Sequence, residues 1–281
     1  MVLGERTLIM GVLNITPDSF SDGGKFFSLK RAVDGALAME RAGADILDIG
    51  AESTRPGSAG ISAAEELQRL LPVLEALRTH LKIPISVDTQ KASVAEIALG
   101  AGAAILNDIS GLKNNPRLAK VAAKFGLPLV LMHMRGTPRT MQKQPFAKNV
   151  LKDVIAGLRH SIAIARRAGV RRSQIILDPG IGFGKSFRQN YELLARLPEL
   201  AKLGYPLLVG TSRKGFLGAT LATHGKPAPP EARIWGTAAT VTASILGGAH
   251  IVRAHDVAEM AQVAKVADAL LRPTNLRATR L

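Results

Sequence analysis

The 281-residue chain contains no cysteine. That excludes disulfides, a thiolate nucleophile and any Cys-ligated zinc or iron–sulfur centre. Aromatic residues make up only 4%, with one tryptophan and two tyrosines, so stacking platforms for single-stranded nucleic acid are scarce. Acidic side chains are outnumbered, 22 Asp and Glu against 37 Lys and Arg, for a formal net charge of +15. Such a balance suits either an anionic partner or a generally basic, solvated surface. No basic run is interleaved with stacking residues, so most of the charge reads as surface and no nucleic-acid partner is expected. A few Lys and Arg remain for an anionic substrate. No apolar run approaches bilayer-spanning length and no charged-then-apolar leader opens the chain. The expectation is therefore no membrane partner and a cytoplasmic location.

What is abundant is short apolar runs. With 47% hydrophobic residues the chain can bury a large core. The runs fall at Leu8–Asn14, Ala44–Ala51, Pro84–Thr89, Ala104–Ser110, Pro128–Met134, Gln174–Gly180, Pro206–Ser212 and Ala249–Asp256. Between them lie segments of helical spacing such as "SLKRAVDGALAMERAG" and "SAAEELQRLLPVLEALRTHL". Several close on a Gly, as at Ala42-Gly43, Phe125-Gly126 and Ala168-Gly169. The runs are apolar on both faces, as parallel strands under helices must be. Eight strand–helix units in one unsplit chain predict an α/β protein, a single (β/α)8 TIM barrel over residues 1–272 with a basic tail at 273–281.

In such a barrel the active site lies at the C-terminal ends of the strands. Here those ends are Asn14; Glu52-Ser53-Thr54-Arg55; Asp88; Asn107-Asp108; Met132-His133; Asp178; Ser212-Arg213-Lys214; and Arg253-Ala254-His255. One Asp after a strand is commonly a helix cap, but eight coincident polar endings describe a site. Asp88, Asn107 and Asp178 combine acceptor and donor capacity. They suit the edge of a flat heterocycle such as a 2-amino-4-oxo-pyrimidine, and equally an acid/base pair or a metal. Arg213, Lys214, Arg253 and His255 are cationic donors suited to phosphate or diphosphate, the alternative being ion pairs with those carboxylates. The anion-binding role is preferred, because strands seven and eight commonly form the phosphate site of such barrels.

"DPGIGFGKS" invites comparison with a phosphate-cradling P-loop, but the first Gly of that pattern falls on Pro179. Its glycines instead let the backbone bend tightly after strand six, placing Phe183 either against a ligand or in ordinary packing. The eleven residues "NITPDSFSDGG", Asn14 to Gly24, suit neither helix nor strand and exceed what a turn needs. His80, His160, His224 and His250 show no ligand spacing.

The motifs "GVLNITPDSFSDGG", "ESTRPG", "VDT", "NDISG", "LMHM", "LDPGIGFGK", "TSRKGFLG" and "RAHDV", in this order, resemble dihydropteroate synthases. The resemblance covers the whole barrel. It implies condensation of 6-hydroxymethyl-7,8-dihydropterin diphosphate with p-aminobenzoate, giving 7,8-dihydropteroate and diphosphate. It makes Asp178, Asn107 and Asp88 the readers of the pterin's N–H edge and Lys214 the donor to its other polar edge. Ile109, Met132, Phe183 and Gly210 would pack around the ring, and Arg253 would cover its face. Asn14, Arg55, Arg253 and His255 would hold the diphosphate, with Asn14 also binding Mg²⁺. Thr54, Arg55, Pro56, Phe183 and Ser212 would shape the p-aminobenzoate pocket. The catalytic assignments are Asp88, Lys214, Arg55 and Asp178, and a homodimer through the last helices is expected.

A cation-like pterin must be shielded from water. The Asn14–Gly24 and "STRPG" loops are therefore expected to close as lids, with Asp22 and Arg55 making contacts only when closed. Two rivals are a methyltetrahydrofolate–corrinoid methyltransferase, which needs no diphosphate site, and a non-catalytic pterin-binding paralogue. The stretch Thr223–Pro230, "THGKPAPP", reads as a flexible excursion without a role.

Overall fold

The structure, a computed structural model, describes residues 3–16, 25–55, 57–143 and 146–273. Residues 17–24 of the expected lid, with Asp22, as well as Pro56 and residues 274–281 of the tail, lie outside the described residues. Eight strands alternate with helices. They are β1 Leu8–Asn14, β2 Ile46–Gly50, β3 Ile85–Asp88, β4 Ala103–Asp108, β5 Leu129–Met132, β6 Ile175–Asp178, β7 Leu208–Val209 and β8 Ile251–Ala254. The helices are α1 Lys25–Arg41, α2 Ala63–Leu77, α3 Ala92–Gly100, α4 Arg117–Phe125, α5 Val150–Arg167, α6 Phe187–Ala195, α7 Leu197–Ala201, α8 Gly215–Thr220, α9 Ile234–Leu246 and α10 Val257–Leu271.

All pairings are parallel, in the order β6-β5-β4-β3-β2-β1-β8-β7. A parallel bridge between Leu177 and Leu207 joins β6 to β7, so the sheet closes into the predicted (β/α)8 barrel. Several helices start on side-chain caps. Ser62 accepts from Glu65 N at α2 and Asn149 from Lys152 N at α5, while Ser186 and Gln189 form a reciprocal box at α6. Each satisfies donors that the first helical turn leaves open.

Both faces of each strand are buried for different reasons. Outward-facing residues such as Leu47, Ile49, Leu106, Leu177 and Val252 pack under the helices in three apolar clusters. Inward-facing Leu8, Met10, Ile46, Ile105, Val130, Ile176, Leu208 and Ile251 meet in one dry layer inside the barrel. Side chains alternate along a strand, so the next inward position lies two residues further on. Those positions are Asp48, Asn107, Met132, Asp178, Gly210 and Arg253, joined by Asp88 two residues beyond Ser86. The polar mouth is thus one step above an apolar floor.

The Thr223–Pro230 stretch is an ordered turn rather than a loose excursion. Thr223 and Lys226 exchange backbone hydrogen bonds at 3.1 and 3.0 Å, and Ala228 N donates to Gly218 O at 2.9 Å.

Ile46→Ala removes a fully buried member of the dry layer and is expected to cost about 2–5 kcal/mol in denaturant unfolding. A loss under about 1 kcal/mol would mean that the layer is not close-packed.

Candidate active site

The centre of the mouth is a buried ionic group. Arg253 donates from Nε to Asp48 Oδ2 at 2.7 Å and from Nη2 to Asp88 Oδ2 at 3.3 Å. Asn107 Nδ2 donates to the same Asp48 oxygen at 3.1 Å. Asp48 is completely buried and Asn107 nearly so. The Asp48 bond therefore fixes the Asn107 amide, and Asp48 and Asp88 together fix the Arg253 fork. Asp48 Oδ1 and Ser86 Oγ, on residues paired across β2 and β3, are buried without a hydrogen bond within the chain.

Burial, and then the negative charge of Asp48, push the Asp88 carboxyl up to about 8, while Arg253 pulls it down. Asp178 is raised by burial to about 6, opposed by the bond from Gly180 N and by the Lys214 charge. Gly180 N donates to Asp178 Oδ1 at 2.7 Å, which holds the carboxylate at the end of β6. Two acids are thus driven to different ionisation ranges in one pocket, as sites that separate proton-donating from proton-accepting roles do.

Lys214 is lowered to about 8, by burial first and by Arg253 next. Its Nζ lies 4.0 Å from the centroid of the Phe183 ring, close enough for the ring face to attract the cation. Phe183 packs on Ile109, Met132, Met134 and Met141, the apolar wall of the mouth. Gly180 and Gly184 shape the turn that carries Phe183, with φ of +67° and +65°. A Cβ at Gly180 would collide with the His133 carbonyl, and one at Gly184 with that of Arg135. A Cβ at Gly210 would meet Arg253 Cβ at 3.6 Å, an ordinary contact distance.

At the end of β8, His255 Nδ1 and Ser212 Oγ lie 3.0 Å apart, and Ser212 Oγ accepts from His255 N at 3.1 Å. Burial, Arg253, Arg213 and Lys214 push His255 down to about 4, so at neutral pH it offers an N–H and no charge. Arg213 departs from the grouping read from the sequence. It takes a left-handed φ of 57° and turns its guanidinium onto Asp256. Asp108, likewise among the strand endings, accepts from Ser110 N at 2.8 Å and Leu112 N at 2.6 Å and holds the following loop instead.

Asn14, Thr54 and Arg55 stand at the rim. Asn14 is exposed at the end of β1, in register with Gly50, which is in turn in register with Asp88. Thr54 is half-buried and Arg55 exposed on the loop after β2, which Gly57 N→Pro138 O (3.0 Å) ties to the loop after β5. Among the described residues no three His, Asp or Glu side chains are grouped to hold a metal ion. The single amide oxygen of Asn14 fits an ion that arrives with its own ligands, as Mg²⁺ does on a diphosphate.

Four residues around the mouth are absent from the sequence-based set: Asp48, Lys185, Met134 and Met141. Asp48 carries a signal, a charge inside the otherwise apolar strand "ILDIG", whereas Lys185 follows a glycine-rich turn that gives none. Met134 and Met141 carry none, because the apolar wall is assembled from loops.

The model of the pterin-binding enzyme family matches residues 10–255. The chain is 52% identical to the dihydropteroate synthase of Synechocystis, over 96% of this chain and 92% of that protein. It is 49% identical to that of Bacillus subtilis, over 95% and 90%. Its fold is similar to the dihydropteroate synthase of Clostridium difficile solved in the presence of pteroic acid: TM-score 0.90, 44% identity, 97% and 99% of the two chains. The Xanthomonas albilineans dihydropteroate synthase solved with 4-aminobenzoic acid gives a TM-score of 0.87 at 40% identity, over 95% and 94%. The chain belongs to the dihydropteroate synthase family of pterin-binding enzymes.

Asp178→Asn tests the burial of that carboxyl. Its folded pKa of about 6 lies above the ordinary 3.8, so the folded state binds the proton more tightly than the unfolded chain. Its contribution to stability is then complete below about 3.8 and is lost as pH rises to about 6. The variant has no proton to lose and should gain stability relative to wild type across that window, levelling off above it. Urea unfolding at several pH values measures this; a difference independent of pH would contradict it.

Proposed function

We infer that this chain is a dihydropteroate synthase of folate biosynthesis, condensing 6-hydroxymethyl-7,8-dihydropterin diphosphate with p-aminobenzoate. The observation that carries the reading is the meeting, in one buried mouth, of an accepting edge and a cationic edge. Asp178, Asn107 and Asp88 form the first; Lys214 and Arg253 form the second. A 2-amino-4-oxo-pyrimidine presents N–H donors on one side and a carbonyl and ring nitrogen on another, and is complementary to both.

In this proposal Asp178, ionised above about pH 6, accepts the 2-amino and N3–H protons, and Asn107 pairs with the neighbouring edge. Asp88 faces a further ring N–H. A pterin gaining positive charge favours the ionised form of Asp88, which the free site disfavours. Lys214 donates to the carbonyl side while Phe183, Met132 and Ile109 enclose the ring. The methylene C–O bond breaks and its electron pair leaves with diphosphate. The arylamine lone pair then forms the C–N bond, and the nitrogen's proton passes to the released diphosphate or to water. No covalent enzyme nucleophile is required.

Arg253 and the His255 N–H stabilise the diphosphate as its charge grows. Asn14 would lend its amide oxygen to a Mg²⁺ ion, which when bound would supply neutralisation of the charge developing on the diphosphate. Thr54, Arg55, Pro56 and Ser212 remain the proposed p-aminobenzoate side, with Arg55 closing over the pair. A homodimer through the last helices is part of the proposal, supported by exposed Leu246, Val266, Leu270 and Leu271 on α9 and α10. So is the cytoplasmic location; among the described residues no helix is long and apolar enough to cross a membrane.

Diphosphate release from the pterin substrate with Mg²⁺ should depend on p-aminobenzoate, and Lys214→Ala should lower kcat/KM by about 10²-fold. Tight pterin binding without p-aminobenzoate-dependent release would identify a binding paralogue instead.

A further inference from the structure

Lys185, a fully buried lysine among the described residues, has no part in the mechanism above. Lys185 follows the Gly180–Gly184 turn and is the first among the largest fully buried side chains, at 2% exposure. Its Nζ donates to Gly180 O at 2.8 Å, Phe183 O at 2.9 Å and His133 O at 3.2 Å, and lies 3.3 Å from His133 Nδ1. A buried ammonium is costly even when its three N–H groups are met; here carbonyls and a ring nitrogen meet them without a carboxylate, and burial pulls the group down to about 7. A position that served packing alone would be better filled by Met or Leu.

The acceptors come from two elements. His133 directly follows β5, and Gly180 and Phe183 belong to the turn after β6. Burial and the neighbouring Lys185 hold the His133 ring neutral. Its Nδ1 can therefore accept from Lys185, while Nε2 lies 3.5 Å from Asp153 Oδ2 at the start of α5. The turn carries Phe183, whose carbonyl is fixed by Lys185 and whose ring packs on Met132 and lies over Lys214. Its glycines press so closely on the segment after β5 that side chains at 180 and 184 would collide with the carbonyls of His133 and Arg135. Such proximity sets oxygen dipoles against one another, and a cation between them reverses the repulsion.

We propose that Lys185 is a positioning residue for the reaction: its ammonium draws the Gly180 and Phe183 carbonyls onto the end of β5 and so fixes the Phe183 ring against Lys214 and the p-aminobenzoate side of the pocket. This rests on the pterin reading of the mouth. Lys185 touches no substrate; it acts through Phe183.

The experiment is a double-mutant cycle in steady-state kinetics with the pterin diphosphate and p-aminobenzoate. It uses wild type, Lys185→Met, Phe183→Ala and the double variant, each verified as folded by circular dichroism. Lys185→Met should raise KM for p-aminobenzoate about tenfold, the size of a disturbed apolar contact, with kcat changed about twofold at most. The double variant should be no worse than Phe183→Ala alone, because one residue works through the other. A purely structural Lys185 would lower the active fraction, reducing kcat at unchanged KM, and its loss would multiply with that of Phe183→Ala. Either result, or constants equal to wild type, overturns the proposal. Should Lys185→Met not accumulate folded, Lys185→Gln, which keeps two N–H donors, is judged by the same criteria. A wild-type chain without turnover removes the pterin reading and this inference together; an active wild type beside an unaltered Lys185 variant removes the inference alone.

Discussion

The mouth of this barrel depends on Arg253 being held between Asp48 and Asp88. A guanidinium beneath a ligand pocket must be met by charge, since an unpaired buried cation would cost several kcal/mol. Asp48 meets it from below and Asp88 from the side. The same Asp48 oxygen orients Asn107. Two of the groups proposed to handle pterin are therefore aimed by a carboxylate that lies below the pocket and is wholly buried. The arrangement carries its own cost, because Asp48 pushes Asp88 towards its neutral form. A substrate that develops positive charge relieves that cost, which is how a strained site favours a transition state over a ground state.

The strand period turns this chemistry into geometry. One dry layer of Ile, Leu, Val and Met fills the barrel, and the residues two positions further along the strands face the solvent end. Moving a strand by one residue would send Asp88 or Asp178 out under the helices and bring Val87 or Leu177 into the pocket. The hydrophobic pattern that folds the barrel is therefore also what sets the identity of the site.

This is why so much was legible beforehand. Eight apolar runs mark the strands, and the polar residues closing them mark the mouth, except Asp108 and Arg213, which turn away from it. The predicted runs extend past the observed strands, β7 being only Leu208–Val209 against a predicted Pro206–Ser212, because apolar composition continues into the flanking turns. Asp48 is not legible as a site residue because it lies one inward step earlier than the strand-end residues, inside "ILDIG". Arg213 reads in the sequence as one of a cationic group with its neighbours, because sequence proximity says nothing of direction. A left-handed residue after a strand sends its side chain elsewhere, here to Asp256. Lys185 is not legible in the sequence because the glycines before it point to backbone bending and not to the side chain that the bend encloses.

The central claim, that the buried acids read a pterin edge, is tested most directly by a crystal structure of the chain with pteroic acid bound. The account predicts the 2-amino-4-oxo edge against Asp178 and Asn107, a ring N–H towards Asp88, and Lys214 on the carbonyl side beneath Phe183. A pterin bound elsewhere, or one turned with its carbonyl edge towards Asp178, would contradict it.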